Sequence, residues 1–170
     1  NIGGRAWRCI SGYGHAPEHM ALFCAELTTL ISGDMVLPRI STNVSVHASE
    51  PEANPLQLFL DSLLRYLDLP ENTLVLPSHG KPFTGLARRI AQLQDHHRER
   101  LEEILLAASD HALSAADTLP ILFKRQLDTH QMTFAMGEAL AHLHYLWMEG
   151  KLERFLDQAG VQRFRPPNGG

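Results

Sequence analysis

The chain has 170 residues, 44% of them hydrophobic and 20% charged, with a formal net charge of −4. These values are typical of a globular protein and exclude a disordered or fibrous one. The acidic balance leaves no basic surplus to neutralise a phosphate backbone, so we expect no nucleic-acid partner. No stretch approaches the roughly 20 apolar residues that span a bilayer, so we expect no membrane partner. Cys9 and Cys24 are too few for a disulfide framework, and we expect both to be reduced and buried in a cytoplasmic protein.

Short apolar runs separated by tight turns begin the chain. They predict three strands, at residues 5–10, 20–24 and 28–32. Residues 35–54 contain two prolines and no helical period, which predicts a long irregular loop.

The middle of the chain alternates helix and strand patterns. Pro55 opens an amphipathic helix whose predicted apolar face consists of Leu56, Phe59, Leu60, Leu63, Leu64 and Leu67. Residues 73–77 form a compact apolar run, typical of a buried strand, that leads directly into His79. A long polar helix is predicted at residues 86–108, and we expect its adjacent His96 and His97 to lie at the surface.

The pattern changes after residue 108. A capping box at residues 114–117 predicts a short helix that ends near Phe123, and a second helix is predicted at about residues 131–148. Residues 151–165 alternate on both sides of a glycine turn, as a β-hairpin does. Helices followed by a hairpin are the winged-helix pattern.

Three places combine a metal-ligating side chain with the end of a predicted strand. His15 follows a Gly-Tyr-Gly turn, Asp34 follows Gly33, and His79 precedes Gly80. Taken singly, a histidine at a turn is more often structural, and Asp34 could simply cap a loop. Their recurrence after three strands within seventy residues instead favours a shared site, because open sheets collect ligands at strand ends.

These residues resemble a known family. The runs Gly14-His15-Ala-Pro-Glu-His19, Ile31-Ser-Gly-Asp34 and Pro77-Ser-His79-Gly80 resemble, in order and spacing, the last three metal-binding motifs of the metallo-β-lactamase superfamily. The resemblance implies an αββα sandwich that holds one or two metal ions, usually zinc, with manganese or iron as alternatives. It implies that His15 binds the first metal, Asp34 bridges both and His79 binds the second. His19 matches a family histidine that packs beside the ligands.

The family's principal motif, His-x-His-x-Asp-His, is absent from the sequence. We expect it upstream of Asn1, so that this chain is a fragment with no catalytic residue of its own and little or no activity alone. The expected fold class is α/β (α+β). Residues 1–108 would form the C-terminal half of the metallo-β-lactamase-like domain, and residues 109–170 a winged-helix domain.

The winged-helix prediction carries its own functional expectation. The candidate recognition helix presents Glu138, His142, His144 and Glu149 and has no Lys or Arg, so a packing or cleft-covering role is favoured over DNA binding.

The resemblance implies a bacterial-type metal-dependent hydrolase that cleaves an acyl ester, a thioester or a related bond of a small molecule. Arg39, in the loop after Asp34, is the candidate substrate-binding residue for an anionic group, with a structural salt bridge as the alternative. Two other interpretations stay open: a non-catalytic regulatory module that uses the winged helix, and a stable structural fragment without activity. Sheet surface left exposed by a missing half would favour a homodimer.

Overall fold

The computed structural model describes residues 1–167; the last three residues of the predicted winged-helix range, 168–170, lie outside the described residues. The elements, in chain order, are β1 (Arg8–Gly12), β2 (His19–Cys24), β3 (Thr29–Gly33), α1 (Pro55–Leu64), β4 (Leu74–Pro77), α2 (Leu86–Ala108), α3 (Ala115–Leu122), α4 (Thr129–Met148), β5 (Glu153–Leu156) and β6 (Gln162–Arg165). The predicted mixture of helices and strands is confirmed. No helix within residues 1–167 has the length and apolarity needed to cross a membrane.

The chain forms two compact units. Unit 1 consists of residues 1–43 and 57–95, and unit 2 consists of residues 44–56 and the described residues from 96 onward. The boundary predicted near residue 108 stays a prediction.

Unit 1 is built on a four-stranded sheet of order β1-β2-β3-β4. β1, β2 and β3 pair antiparallel, whereas β3 and β4 pair parallel. The parallel pair matters for function because its two carboxyl ends, which carry Asp34 and His79, lie at the same edge of the sheet.

The two faces of this sheet differ in burial. Phe23, Leu30 and Val75 are buried on one face. On the other, cross-strand partners Cys9, Leu22, Ile31 and Leu76 form an apolar row that is exposed or half-exposed. Cys9 was therefore wrongly predicted to be buried; Cys24 is buried as expected, and both thiols are free.

Helix α1 begins at Pro55 as predicted but ends at Leu64. Beyond it the chain continues in turns, with Tyr66 N–H donating to the Leu63 carbonyl and Leu69 N–H to the Tyr66 carbonyl. These turns rotate Tyr66 into the core and leave Leu64 and Leu67 exposed, so the predicted apolar face was too long by one turn.

In unit 2, a capping box precedes each of the helices α3 and α4. α3 begins after a capping box between Ser114 and Asp117, and α4 begins after a second box between Asp128 and Gln131, two residues before the predicted start. β5 and β6 form the predicted hairpin, and Phe164 exchanges two backbone hydrogen bonds with Leu113. The helix, helix and hairpin order is confirmed; its assignment as a winged helix stays a prediction.

Three histidines are buried in unit 2, although His97 was predicted at the surface and His142 and His144 on the presented face of the candidate recognition helix. His97 lies on α2, and His142 and His144 lie on α4. Nδ1 of His142 donates to the Glu138 carbonyl, which leaves its Nε2 to accept a hydrogen bond from Nδ1 of His97 at 3.2 Å. The surface prediction for His97 was wrong because helical spacing alone did not show that a second histidine would accept a hydrogen bond from its Nδ1.

Candidate functional site

The ends of β3 and β4 bring the three predicted ligands of unit 1 together. Asp34 follows β3, His79 follows β4, and His15 lies in the turn between β1 and β2. Nε2 of His15 is 3.6 Å from Oδ2 of Asp34, and Nε2 of His79 is 3.5 Å from Oδ1 of the same carboxylate. The side chains are 29%, 33% and 69% exposed for His15, Asp34 and His79, so the cluster is open to small molecules from solvent.

A backbone contact fixes which nitrogen of His15 faces the cluster. Nδ1 of His15 is 2.8 Å from the carbonyl oxygen of Asn43 and donates to it, since a carbonyl only accepts. In the neutral ring Nε2 then carries a lone pair, and it points at a carboxylate oxygen that also carries lone pairs. Two facing acceptors are stable only with a cation or proton between them, and a metal-binding histidine is commonly held by such a carbonyl contact.

Hydroxyl groups hold Asp34 in place. Ser78 donates from Oγ to Oδ1 of Asp34, and Thr42 donates from Oγ1 to the Asp34 carbonyl. The backbone N–H of Ser78 also donates to the Gly33 carbonyl at 3.1 Å. Ser78, Thr42 and Asn43 were not predicted as supporting residues, and the position of Ser78 between Pro77 and His79 was the one local signal for them.

His19 packs against the glycine that precedes Asp34. Gly33 has φ +55°, and a Cβ there would lie 2.3 Å from Nε2 of His19. Burial, followed by the nearby His15, lowers the pKa of His19 below its usual value. His19 thus contacts the backbone at Gly33 and belongs to the wall beside the cluster.

The side chains of His15, Asp34 and His79 are of the types that bind divalent cations. Two imidazole nitrogens and a carboxylate are ligands that zinc accepts, and catalytic zinc sites commonly take three ligands from the protein. However, no group of three or more His, Cys, Asp or Glu side chains within residues 1–167 is arranged so that it could hold a metal ion. The cluster is therefore a convergent set of donors rather than a closed coordination shell, and ligation by His15, Asp34 and His79 stays a prediction.

A cleft of about 580 Å³ adjoins His79 in unit 1, and Arg39 and Lys81 line it. Arg39 is exposed, and no ion pair with a described residue involves it. Its loop is held by Arg89, whose guanidinium donates to the carbonyls of Leu37 at 2.6 Å and Ile40 at 2.9 Å. The helical pattern of α2 did not predict this role for Arg89.

The chain is similar to known proteins over much of its length. Residues 101–167 match the family described as metallo-β-lactamase-like, C-terminal domain. The probable metallo-hydrolase YqjP of Bacillus subtilis (strain 168) is 27% identical over 146 residues, which are 84% of this chain and 45% of the relative.

Two crystal structures resemble almost the whole chain. A β-lactamase domain protein from Burkholderia ambifaria is 59% identical with a TM-score of 0.95 over 98% of this chain and 49% of its own. The metallo-β-lactamase family protein TTHA1429 from Thermus thermophilus is 34% identical with a TM-score of 0.83 over 98% and 51%. The matches support a metallo-β-lactamase fold, and the chain spans about half the length of these relatives.

Proposed function

Starting from the metallo-β-lactamase fold that these matches support, we propose that this chain supplies part of the metal site of a metal-dependent hydrolase. His15 and His79 would hold metal through Nε2, and Asp34 would contribute the carboxylate that they share. The observation that carries this proposal is the approach of both imidazole nitrogens, at 3.6 and 3.5 Å, to the two oxygens of one carboxylate. Zinc is the proposed metal, with manganese or iron as alternatives.

The chain's own residues orient the donors. The Asn43 carbonyl turns Nε2 of His15 toward Asp34, and the Ser78 hydroxyl fixes the rotation of the Asp34 carboxylate. A divalent cation held by these residues would supply Lewis acidity, which is the chemistry that activates water for hydrolysis. Because this chain offers three donors and lacks the His-x-His-x-Asp-His string, we propose that it is inactive alone.

Zinc titration tests the ligand assignment. We expect zinc to shift the imidazole ¹⁵N signals of His15 and His79 before those of other histidines, and His15→Ala, Asp34→Ala and His79→Ala each to weaken binding at least about tenfold by calorimetry. The matched control is His111→Ala, which removes an exposed histidine of unit 2 and should leave binding unchanged. Unmoved His15 and His79 signals at millimolar zinc, or binding that survives all three variants, would contradict the assignment.

We propose a small ester or thioester with an anionic group as the substrate of the whole protein, a bacterial-type cytoplasmic enzyme. The support is the placement of Arg39 and Lys81 in the lining of the cleft beside His79. Monomethyl succinate and dimethyl succinate are a matched pair of probes that differ in one negative charge. The monoester alone should perturb the NMR signals of residues 38–40, and Arg39→Gln should abolish the difference; equal perturbation by both probes would remove Arg39 from the proposal.

For unit 2, we propose a winged-helix domain that does not bind nucleic acid. α4 carries no Lys or Arg, and both histidines expected on its presented face, His142 and His144, are buried. Fluorescence anisotropy with a 30-base-pair duplex at low salt should show no binding at about 10 μM protein, a concentration at which non-specific DNA-binding domains bind. Binding that weakens steeply with salt would favour the regulatory interpretation instead.

The exposed apolar row of the unit 1 sheet supports a homodimer of this chain. Ile31 at its centre is 38% exposed, and Met20 and Leu74 are also exposed. A contiguous row of this kind exposes more apolar area than scattered single side chains do, and it favours association. Sedimentation should show dimers that Ile31→Glu converts to monomers, and a monomer at 100 μM for the unmodified chain would oppose the proposal.

A further inference from the structure

The cleft beside His79 lies between two loops that follow the parallel strands β3 and β4. Residues 38–40 form one wall and residues 79–83 form the other. We call it the unit 1 cleft. Its lining contains two permanently charged side chains, Arg39 and Lys81, and none of the described residues that line it is Asp or Glu. The unit 1 cleft is therefore locally basic, in a chain whose formal net charge is −4.

A glycine allows the two loops to touch. Gly80 has φ +88°, and a Cβ there would lie 2.6 Å from Cγ of Pro38. A larger residue at position 80 would push the loops apart. Arg39 and Lys81 each follow one member of this contact, so their backbones start close together and their long side chains reach the same space.

Both loops are held by hydrogen bonds as well. The guanidinium of Arg89 donates to the carbonyls of Leu37 and Ile40, at 2.6 and 2.9 Å. On the other wall, Phe83 exchanges two backbone hydrogen bonds with Val75 of β4, at 2.8 and 3.1 Å. A ligand that enters the cleft therefore meets backbones that are already ordered, which lowers the entropy cost of binding.

The charges of Arg39 and Lys81 are not matched within the described part of the chain. Both residues are exposed, and no ion pair or hydrogen bond with another described residue involves either of them. Two like charges that line one cleft repel each other, and a carboxylate brings only one negative charge to them. A phosphate monoester brings nearly two negative charges and several acceptor oxygens. Its oxygens suit both the planar fork of an arginine and the point charge of a lysine.

We propose that the unit 1 cleft binds the phosphate group of an organic phosphate, with Arg39 and Lys81 sharing the dianion. The apolar lining, to which Ile40 and Phe83 contribute, takes the part of the molecule next to the phosphate. This proposal rests on the proposed function, because it identifies the anionic group of the ester or thioester substrate as a phosphate monoester. The phosphate serves for recognition only, and no bond to phosphorus is made or broken.

The test uses two probes of the same shape on the full chain. Phenyl phosphate and phenyl sulfate both carry a tetrahedral head on a phenyl ring. At pH 8, above the second phosphate pKa of about 6, they differ by one negative charge. The chain is first freed of metal ions on a chelating resin, and salt is kept at about 20 mM to limit screening. NMR titration should show the phosphate binding about tenfold more tightly, with shifts at residues 38–40 and 79–83.

Variants test whether the two cations share the dianion. Removing one of two equal charges halves the Coulombic preference, so Arg39→Gln and Lys81→Gln should each reduce the tenfold preference to about threefold. Both side chains are exposed, and the amide spectrum of each variant checks that its fold is kept. The matched control is Lys151→Gln, which removes an exposed lysine that does not line the unit 1 cleft and should leave the preference unchanged.

Three results would overturn the proposal: equal affinities of the two probes for the unmodified chain, an unchanged preference in both cleft variants, or no binding of either probe at about 10 mM. Failure of the metal assignment is recognised separately, by the zinc titration of His15 and His79. Zinc binding together with equal probe affinities would remove the phosphate alone. A phosphate preference without zinc binding would keep this inference and reject the ligand assignment.

Discussion

The histidines of unit 1 and those of unit 2 have the same chemistry and opposite surroundings. His15 and His79 lie at strand ends, partly open to solvent, and share one carboxylate. His97 and His142 are completely buried on helices and bond to each other. In the first pair Nε2 of each ring lies within 3.6 Å of Asp34, whereas in the second Nδ1 of His97 and both nitrogens of His142 form hydrogen bonds within the fold. The surroundings, more than the residue type, thus decide whether a histidine nitrogen is available to a ligand or is used in a hydrogen bond that stabilises the fold.

If this distinction is right, the largest loss of stability should come from breaking the buried pair. His142→Ala leaves a cavity and removes the acceptor of the His97 N–H, so we expect the free energy of unfolding to fall by about 3 kcal/mol in urea denaturation. His96→Ala is the matched control, since His96 precedes His97 on the same helix but is exposed. It should change stability by less than about 0.5 kcal/mol. Similar losses of unfolding free energy in the two variants would show that the buried pair contributes no more to stability than exposed His96 does.

The buried pair should also make the chain sensitive to acid. Burial lowers the pKa of His97 to about 3 and that of His142 to about 4, from an ordinary 6.5. The unfolded chain therefore takes up protons first, so stability is full above about pH 6.5 and falls as the pH drops toward 4. The slope is at most about 1.4 kcal/mol per pH unit for each histidine.

Urea denaturation between pH 7 and pH 4 measures this dependence. A His97→Leu/His142→Leu double variant should flatten the curve, with a residual slope from His19 and His144, whose pKa values are also lowered by burial. An unchanged slope in the double variant would assign the acid sensitivity to other groups.

A smaller effect is expected at the glycine beside the unit 1 cluster. Gly33→Ala adds strain at φ +55° and forces a Cβ against the His19 ring, so we expect a loss of about 2–3 kcal/mol. Gly3→Ala is matched in backbone conformation, with φ +57°, but nothing lies within 4 Å of its Cβ. It should cost only the backbone strain, about 1 kcal/mol. Equal thermal unfolding shifts for the two variants would mean that the contact between His19 and Gly33 contributes nothing.

Much of the fold could be predicted from sequence because its signals are local. The capping box at Ser114, the proline at the start of α1 and the apolar run of β4 each act within a few residues. The convergence of Asp34 and His79 was also predictable, because both follow strands and parallel neighbours end at the same edge.

What could not be predicted depends on contacts between distant residues. The partners His97 and His142 are 45 positions apart, and the Arg89 contact to the Leu37 carbonyl spans 52. No periodicity within one helix contains that information. The same limit explains why Asn43 was missed, since it acts through its backbone carbonyl, which every residue has.

The smallest stability change should come from the most exposed ligand candidate, and this prediction separates binding from folding most sharply. The side chain of His79 is 69% exposed and its one described ion-pair contact is with Asp34, so His79→Ala should alter the free energy of unfolding by less than about 0.5 kcal/mol. Its effect on zinc affinity should nevertheless be at least about tenfold. The two measurements on the same variant distinguish a residue kept for a ligand from one kept for the fold, because a loss of several kcal/mol with unchanged zinc affinity would place His79 in the same structural class as His142.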